Sequence, residues 1–123
     1  MPAYNSAETQ LVIERLIDQK IDVFFALPDN TIFASFETIV SSCDKAMIPI
    51  ITSEAGLVSR GALAGFGANM YDWGYSSGQD AAKFFNTGVL PKPRKLIKRT
   101  RMVNPTQAKR YKFIAGKEFQ PVS

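Results

Sequence analysis

IDVFFALPDNT, spanning Ile21 to Thr31, is an apolar run that stops abruptly at Pro-Asp-Asn-Thr and gives way at once to an amphipathic segment. A buried parallel strand hands over to a helix in this way in an α/β sheet. Val23, Phe24 and Phe25 are too continuous for a strand with one wet face, which predicts cover on both sides. Such sheets bind small molecules outside the carboxyl ends of their strands, where loops and helix N-termini converge. Asp29, Asn30 and Thr31 would stand at that spot. The same grammar recurs at IPIITSE, Ile48 to Glu54, so Ser53 and Glu54 would line the same crevice if the two strands are parallel.

Outward from these two corners the chain alternates. Asn5 to Glu8 reads as a capping box opening a helix over 6–19, with Leu11, Val12, Leu16 and Ile17 at helical spacing. Ile32, Phe33, Phe36, Ile39, Val40 and Cys43 form an i, i+3, i+4 stripe that predicts one helix over 31–46. Residues 47–53 form the next strand, with Pro49 near its start. Residues 54–60 read as a short helix or loop, and 62–66 as a third strand rich in small residues. A helix over 71–86 carries Trp73, Phe84 and Phe85. Gly74 and Gly78, four apart, would let a neighbour approach one face closely. Pro91 and Pro93 enforce a loop. A strand over 94–103, a helix over 105–112 and a tail from Glu118 complete the reading. Alternating elements predict one layered α/β domain, a Rossmann-like parallel sheet with flanking helices.

Composition bounds the chemistry. At 123 residues, 46% hydrophobic and 21% charged, the chain suits a single globular domain. It has no histidine, which excludes Ser-His-Asp and Cys-His catalysis and the common zinc sites. Cys43 is alone, so there is no intrachain disulfide and no paired-cysteine metal or redox motif, and its place on the apolar stripe makes it core. No catalytic residue, metal or cofactor is expected. Residues 1–90 carry ten acidic and five basic groups, whereas 91–123 carry ten basic and one acidic. The first ten residues lack the basic and apolar parts of a secretory signal, which taken literally places the chain in the cytoplasm.

Each candidate has a plainer alternative. Asp29 to Thr31 can simply cap a helix, and Ser53-Glu54 can be a solvated turn. Asp29 and Glu54 facing one cleft would favour a cationic or zwitterionic ligand. GALAGFG lacks the spacing of a phosphate-binding loop, and close packing or a hinge explains its glycines better. Nine basic residues between Lys92 and Lys112, with no acidic one, raise the alternative of a basic-tailed nucleic-acid-binding domain. Leu96, Ile97, Met102 and Val103 punctuate those charges as in a half-buried strand, so a solvated basic face is the preferred reading and no nucleic acid is expected.

Seven motifs then line up in order: PDNT (28–31), KAMIPII (45–51), SE (53–54), VSRGALAGFG (58–67), YDWGYSSG (71–78), GVLP (88–91) and NP (104–105). In that order and spacing, over about residues 6–112, the chain resembles the substrate-binding proteins of bacterial ABC transporters, in the group that includes tryptophan- and tyrosine-type binding lipoproteins. The resemblance implies part of a type I periplasmic-binding-protein fold, whose two lobes close on a ligand by a hinge. It implies a non-enzymatic component of an uptake system that takes a small amino-acid-like ligand, works with an ABC permease, and lies in the periplasm or on an extracytoplasmic lipid anchor. By motif match Asp29, Asn30, Ser53 and Glu54 resemble ligand contacts of one lobe, with Glu54 where aspartate is common. The resemblance covers only the last part of such proteins. It implies a truncated or excised piece, with 6–70 as second-lobe core, 71–90 as a helix that would pack on an absent first lobe, and 91–123 as a basic C-terminal strand, helix and tail. That helix face would be exposed and open to self-association.

Overall fold

The computed structural model describes residues 3–93 and 98–123. The order is α1 (Ser6–Asp18), β1 (Phe24–Ala26), α2 (Asn30–Ala34), α3 (Phe36–Lys45), β2 (Ile50–Thr52), α4 (Ala55–Ser59), β3 (Ala64–Ala68), α5 (Met70–Thr87), β4 (Arg99–Val103), α6 (Pro105–Arg110) and β5 (Phe119–Pro121). The five strands form one sheet in the order β1-β2-β3-β4-β5. β1, β2 and β3 are mutually parallel, with Phe25 opposite Ile51 and Thr52 opposite Gly65. β4 runs antiparallel to β3, and β5 runs parallel to β4. The architecture is the expected α/β sheet with flanking helices.

The core lies on one side of this sheet. Ile13 of α1, Phe36, Ile39 and Cys43 of α3, Leu57 of α4, and Ala26 and Ile50 of the strands pack together there, all buried. Asn5 caps α1, its side chain accepting from the Glu8 amide at 2.9 Å while the Glu8 carboxylate accepts from the Tyr4 amide. The cap is the one read from the sequence, but the Glu8 carboxylate reaches back to the amide before Asn5 and to the Asn5 side chain at 2.9 Å, not to the backbone amide of Asn5 as in a full capping box. α6 clamps the α3–β2 turn. The Tyr111 hydroxyl donates to Asp44 Oδ1 at 2.7 Å, Gln107 Nε2 donates to Asp44 Oδ2 at 3.2 Å, and Arg110 Nη2 donates to the Asp44 carbonyl at 3.1 Å.

Several expectations need correcting. The single helix over 31–46 is two, broken at Ser35. The carbonyl of Phe33, which an unbroken helix would offer to the Glu37 amide, instead accepts from Arg60 Nη2 at 2.7 Å. The same guanidinium chelates the Glu37 carboxylate at 2.9 and 3.0 Å, so a residue far along the chain sets the break. The third strand runs to Ala68, two residues beyond the expected end. Gly65 and Gly67 hide its alternation. A Cβ on Gly65 would stand 2.7 Å from a Val58 methyl carbon, and one on Gly67 would collide with the Ser53 carbonyl oxygen. Close packing accounts for both glycines. The last long strand is shorter than expected, Arg99–Val103, and the remainder of 94–103 falls partly on 94–97, outside the described residues. The tail from Glu118 holds a strand, β5, whose short FQP sequence has too little pattern to announce itself.

The largest departure concerns the second side of the sheet. Continuity at Val23 to Phe25 predicts cover on both faces. Phe25 is 51% exposed, Phe66 47% and Ile51 36%, so the face opposite the core is largely open. An apolar run states that a strand dislikes water; it does not state that the described chain supplies a second layer.

Candidate functional site

The register of β1 and β2 places the two polar corners at one edge. Ala26 is opposite Thr52, and both strands run the same way. The segments that follow them, leading to Asp29 and to Ser53-Glu54, therefore emerge from the same rim of the sheet. A further side chain ties the rim together. Thr52 is buried, and its hydroxyl donates to the Ala26 carbonyl at 2.9 Å while accepting from the Glu54 amide at 3.1 Å. One hydroxyl thus fixes the end of β1 against the turn after β2.

Asp29 is the N-cap of α2, and its Oδ1 accepts from the amides of Thr31 at 2.8 Å and Ile32 at 3.4 Å. The plainer reading of this residue is realised, since satisfying orphan amides needs no ligand. Asp29 and Asn30 are exposed and Thr31 is half-buried. Asp29 and Thr31 border a groove of about 310 Å³ between α1 and β1, whose walls include Val12, Leu16 and Leu27.

Glu54 behaves differently. It is buried to 9% exposure, caps α4, and accepts from the Leu57 amide through Oε2 at 2.9 Å. It lines a second groove, of about 470 Å³, with Ser59, Asn69, Tyr71, Thr100 and Gln120. Ser53, beside Glu54 in the second corner, is half-buried. Five residues named from the sequence thus share a rim, but Asp29 and Glu54 face different grooves and both carboxylates are engaged by helix amides.

Asn69 belongs with this set and was missed. It follows β3 and caps α5, its Oδ1 accepting from Tyr71 at 2.9 Å and Asp72 at 3.2 Å. The signal was present: a strand, then a polar cap, then a helix, as at Asp29. Ending the third strand two residues early concealed it.

The rim presents hydrogen-bonding side chains at the ends of parallel strands. It offers no nucleophile paired to a base, and no group of three or more His, Cys, Asp or Glu able to hold a metal occurs among the described residues. Cys43 is fully buried, and burial first, then the neighbouring Asp44 charge, push its thiol up to about 11. It is core, as the stripe implied. The basic residues of the C-terminal part are spread: Arg110 serves Asp44, and Arg101 lies 5.0 Å over the Phe66 ring.

Comparison with known proteins decides the family. Residues 1–114 match the model of the ABC transporter substrate binding protein family. The chain belongs to that family. Over 74 residues, 60% of this chain and 21% of the relative, it is 39% identical to the tyrosine-binding protein of Clostridioides difficile (strain R20291). Its fold is similar to a domain from Streptococcus pneumonia solved in complex with L-Trp, with TM-score 0.83 and 22% identity, covering 100% of this chain and 43% of that one. It is also similar to a ligand-free, open substrate binding protein with adhesive properties from Clostridium difficile, with TM-score 0.74 and 27% identity, covering 98% and 42%. This family member thus spans under half the length of the solved chains it matches, and about one fifth of the tyrosine-binding protein.

Proposed function

We propose that this chain supplies one wall of a solute-binding cleft for ABC uptake, taking an amino-acid-like ligand at Asp29, Asn30, Thr31, Ser53 and Glu54. The observation that carries the reading is the parallel register of β1 and β2, which brings both polar corners to one rim. A relative named for tyrosine and a structural neighbour solved with L-Trp support the ligand class. In this reading residues 6–70 are core of the second lobe and 71–90 a helix that packs on a first lobe. The span of under half of its solved neighbours supports a partial cleft. The working protein is extracytoplasmic, non-enzymatic, and delivers to an ABC permease.

A single wall binds weakly, because the opposing contacts and their closure are missing. Titrating the 123-residue chain with L-tyrosine or L-tryptophan, followed by amide NMR, should give affinities no tighter than roughly millimolar, about −4 kcal/mol. The shifts should centre on Asn30, Thr31, Ser53 and Glu54. Micromolar binding by the monomer, or shifts confined to another surface, would contradict the reading.

A further inference from the structure

The two polar corners of the rim begin two short helices, and one side chain joins the far ends of both. α2 starts after its cap Asp29, and α4 starts after its cap Glu54. Arg60 is the C-cap of α4, and its Nη2 donates to the Phe33 carbonyl, in the last turn of α2, at 2.7 Å. The two helices are seated unequally. α4 buries Leu57 and Val58, whereas α2 buries no residue. Gly61, next in the chain, fixes the root of Arg60. Its φ is +125°, and a Cβ there would stand 2.9 Å from a Val40 methyl carbon of α3. Arg60 therefore projects from a closely packed turn onto the less firmly held helix.

The break at Ser35 shows what that contact opposes. The apolar stripe from Ile32 to Cys43 runs on through it, as for one continuous helix. Ser35 is 4% exposed, and its hydroxyl finds no partner among the described residues. A buried polar group without a partner is costly. In an unbroken helix such a hydroxyl can bond the carbonyl four residues back, here that of Thr31. The Glu37 amide, which in that helix would bond the Phe33 carbonyl, serves its own carboxylate instead and, ahead of Arg60, keeps that carboxyl below its usual range. Local sequence thus favours one straight helix, and Arg60 takes the carbonyl that the straight form needs.

We propose that Arg60 is a positioning residue for the candidate rim: it holds α2 in the broken form and so keeps Asp29, Asn30 and Thr31 beside Ser53 and Glu54. Without its guanidinium, α2 and α3 join into one helix that pivots at Ser35. Asp29 lies about 9 Å along the helix from that pivot, so the first corner leaves the rim. Glu54, on its own buried helix, stays. The Thr52 hydroxyl ties the end of β1 to the second corner at the rim itself, and Arg60 ties the two corners from behind. The effect on ligand rests on the cleft reading above; the effect on geometry does not.

Arg60→Met in the 123-residue chain tests it, because methionine keeps an apolar stem beside Phe36 and removes the donors. The Glu37 amide should exchange with deuterated solvent at least about 10-fold more slowly than in wild type, because it gains the Phe33 carbonyl. Loss of an ordinary structural contact would speed exchange there. Dipolar broadening between nitroxides at Asn30 and Ser53 should fall. L-tryptophan shifts at Asn30 and Thr31, read at one ligand concentration, should shrink at least about 5-fold, since a displaced corner no longer meets the ligand in productive geometry. Arg60→Lys, which keeps a donor for the carbonyl but not the fork, should recover part of each change. Arg60→Gln, too short to reach, is the second variant should the methionine one fail to fold. Unchanged or faster Glu37 exchange would overturn the proposal, as would unchanged broadening. So would a lysine variant equal to the methionine one. A wild-type chain in which L-tryptophan shifts no rim residue would instead defeat the cleft reading, and exchange and broadening would still decide the role of Arg60.

Discussion

α3 and α5 carry similar sequence patterns and meet opposite fates. Both are amphipathic, and each repeats apolar residues at i, i+3 and i+4. In α3, Phe36, Ile39 and Cys43 are fully buried against β2 and α1. In α5, Phe85 is 82% exposed and Tyr71 77%, and no residue is buried. The pattern states that a face needs cover; only the neighbours decide whether it has any. Apolar surface left in water forfeits about 25 cal/mol per Å², so the two helices contribute very unequally to the stability of the same chain.

Substitution should expose that inequality. Phe36→Ala should cost about 3–5 kcal/mol in urea unfolding. Phe85→Ala should change monomer stability by no more than about 0.5 kcal/mol. Equal costs would erase the distinction between the helices.

Alkaline pH probes the buried side of α3 and the Tyr111 clamp on it. The Cys43 thiol is raised from 9.0 to about 11 in the folded chain. The folded state therefore holds its proton after the unfolded state has lost it. The resulting stability is fully present below pH 9.0 and is lost as pH rises towards about 11, at about 1.4 kcal/mol per unit. Burial, followed by hydrogen bonding to Asp44, also raises Tyr111, so the decline should continue at higher pH. Denaturant melts between pH 8 and 11 should show the fall, and Cys43→Ala should remove the thiol's share of it.

Two glycine substitutions sharpen the contrast further. Gly65→Ala drives a methyl towards Val58 and Thr52, at 2.7 and 3.1 Å, and should destabilise by about 1–3 kcal/mol. Gly74→Ala meets open space and should stabilise the chain by about 1 kcal/mol. A destabilised chain would show that α5 packs more closely at that point than the structure has it.

Where a signal was local, the sequence carried it. The helix cap at Asn5, the stripe of α3 and the polar corners after β1 and β2 each lie within a few residues, and each reads directly. What escaped depends on distant partners. Arg60 breaks the helix at Ser35 from outside it. β5 exists because β4 offers it an edge, with Met102 opposite Gln120. Glycines at 65 and 67 silence the alternation of β3, which in turn hid Asn69. The candidate site follows the same rule. Its residues were legible as corners, but the direction of the Glu54 carboxylate, back onto its own helix, depends on the Leu57 amide and on the packing of α4.

The account rests on the corners at Asn30 and Ser53 leaving neighbouring strands at the same rim. Nitroxide labels at those two positions test this directly by dipolar broadening. Adjacent parallel strands predict a separation within about 15 Å, given strand spacings near 5 Å, and hence strong broadening. Narrow, non-interacting spectra would place the corners on opposite rims and remove the shared edge on which the cleft depends.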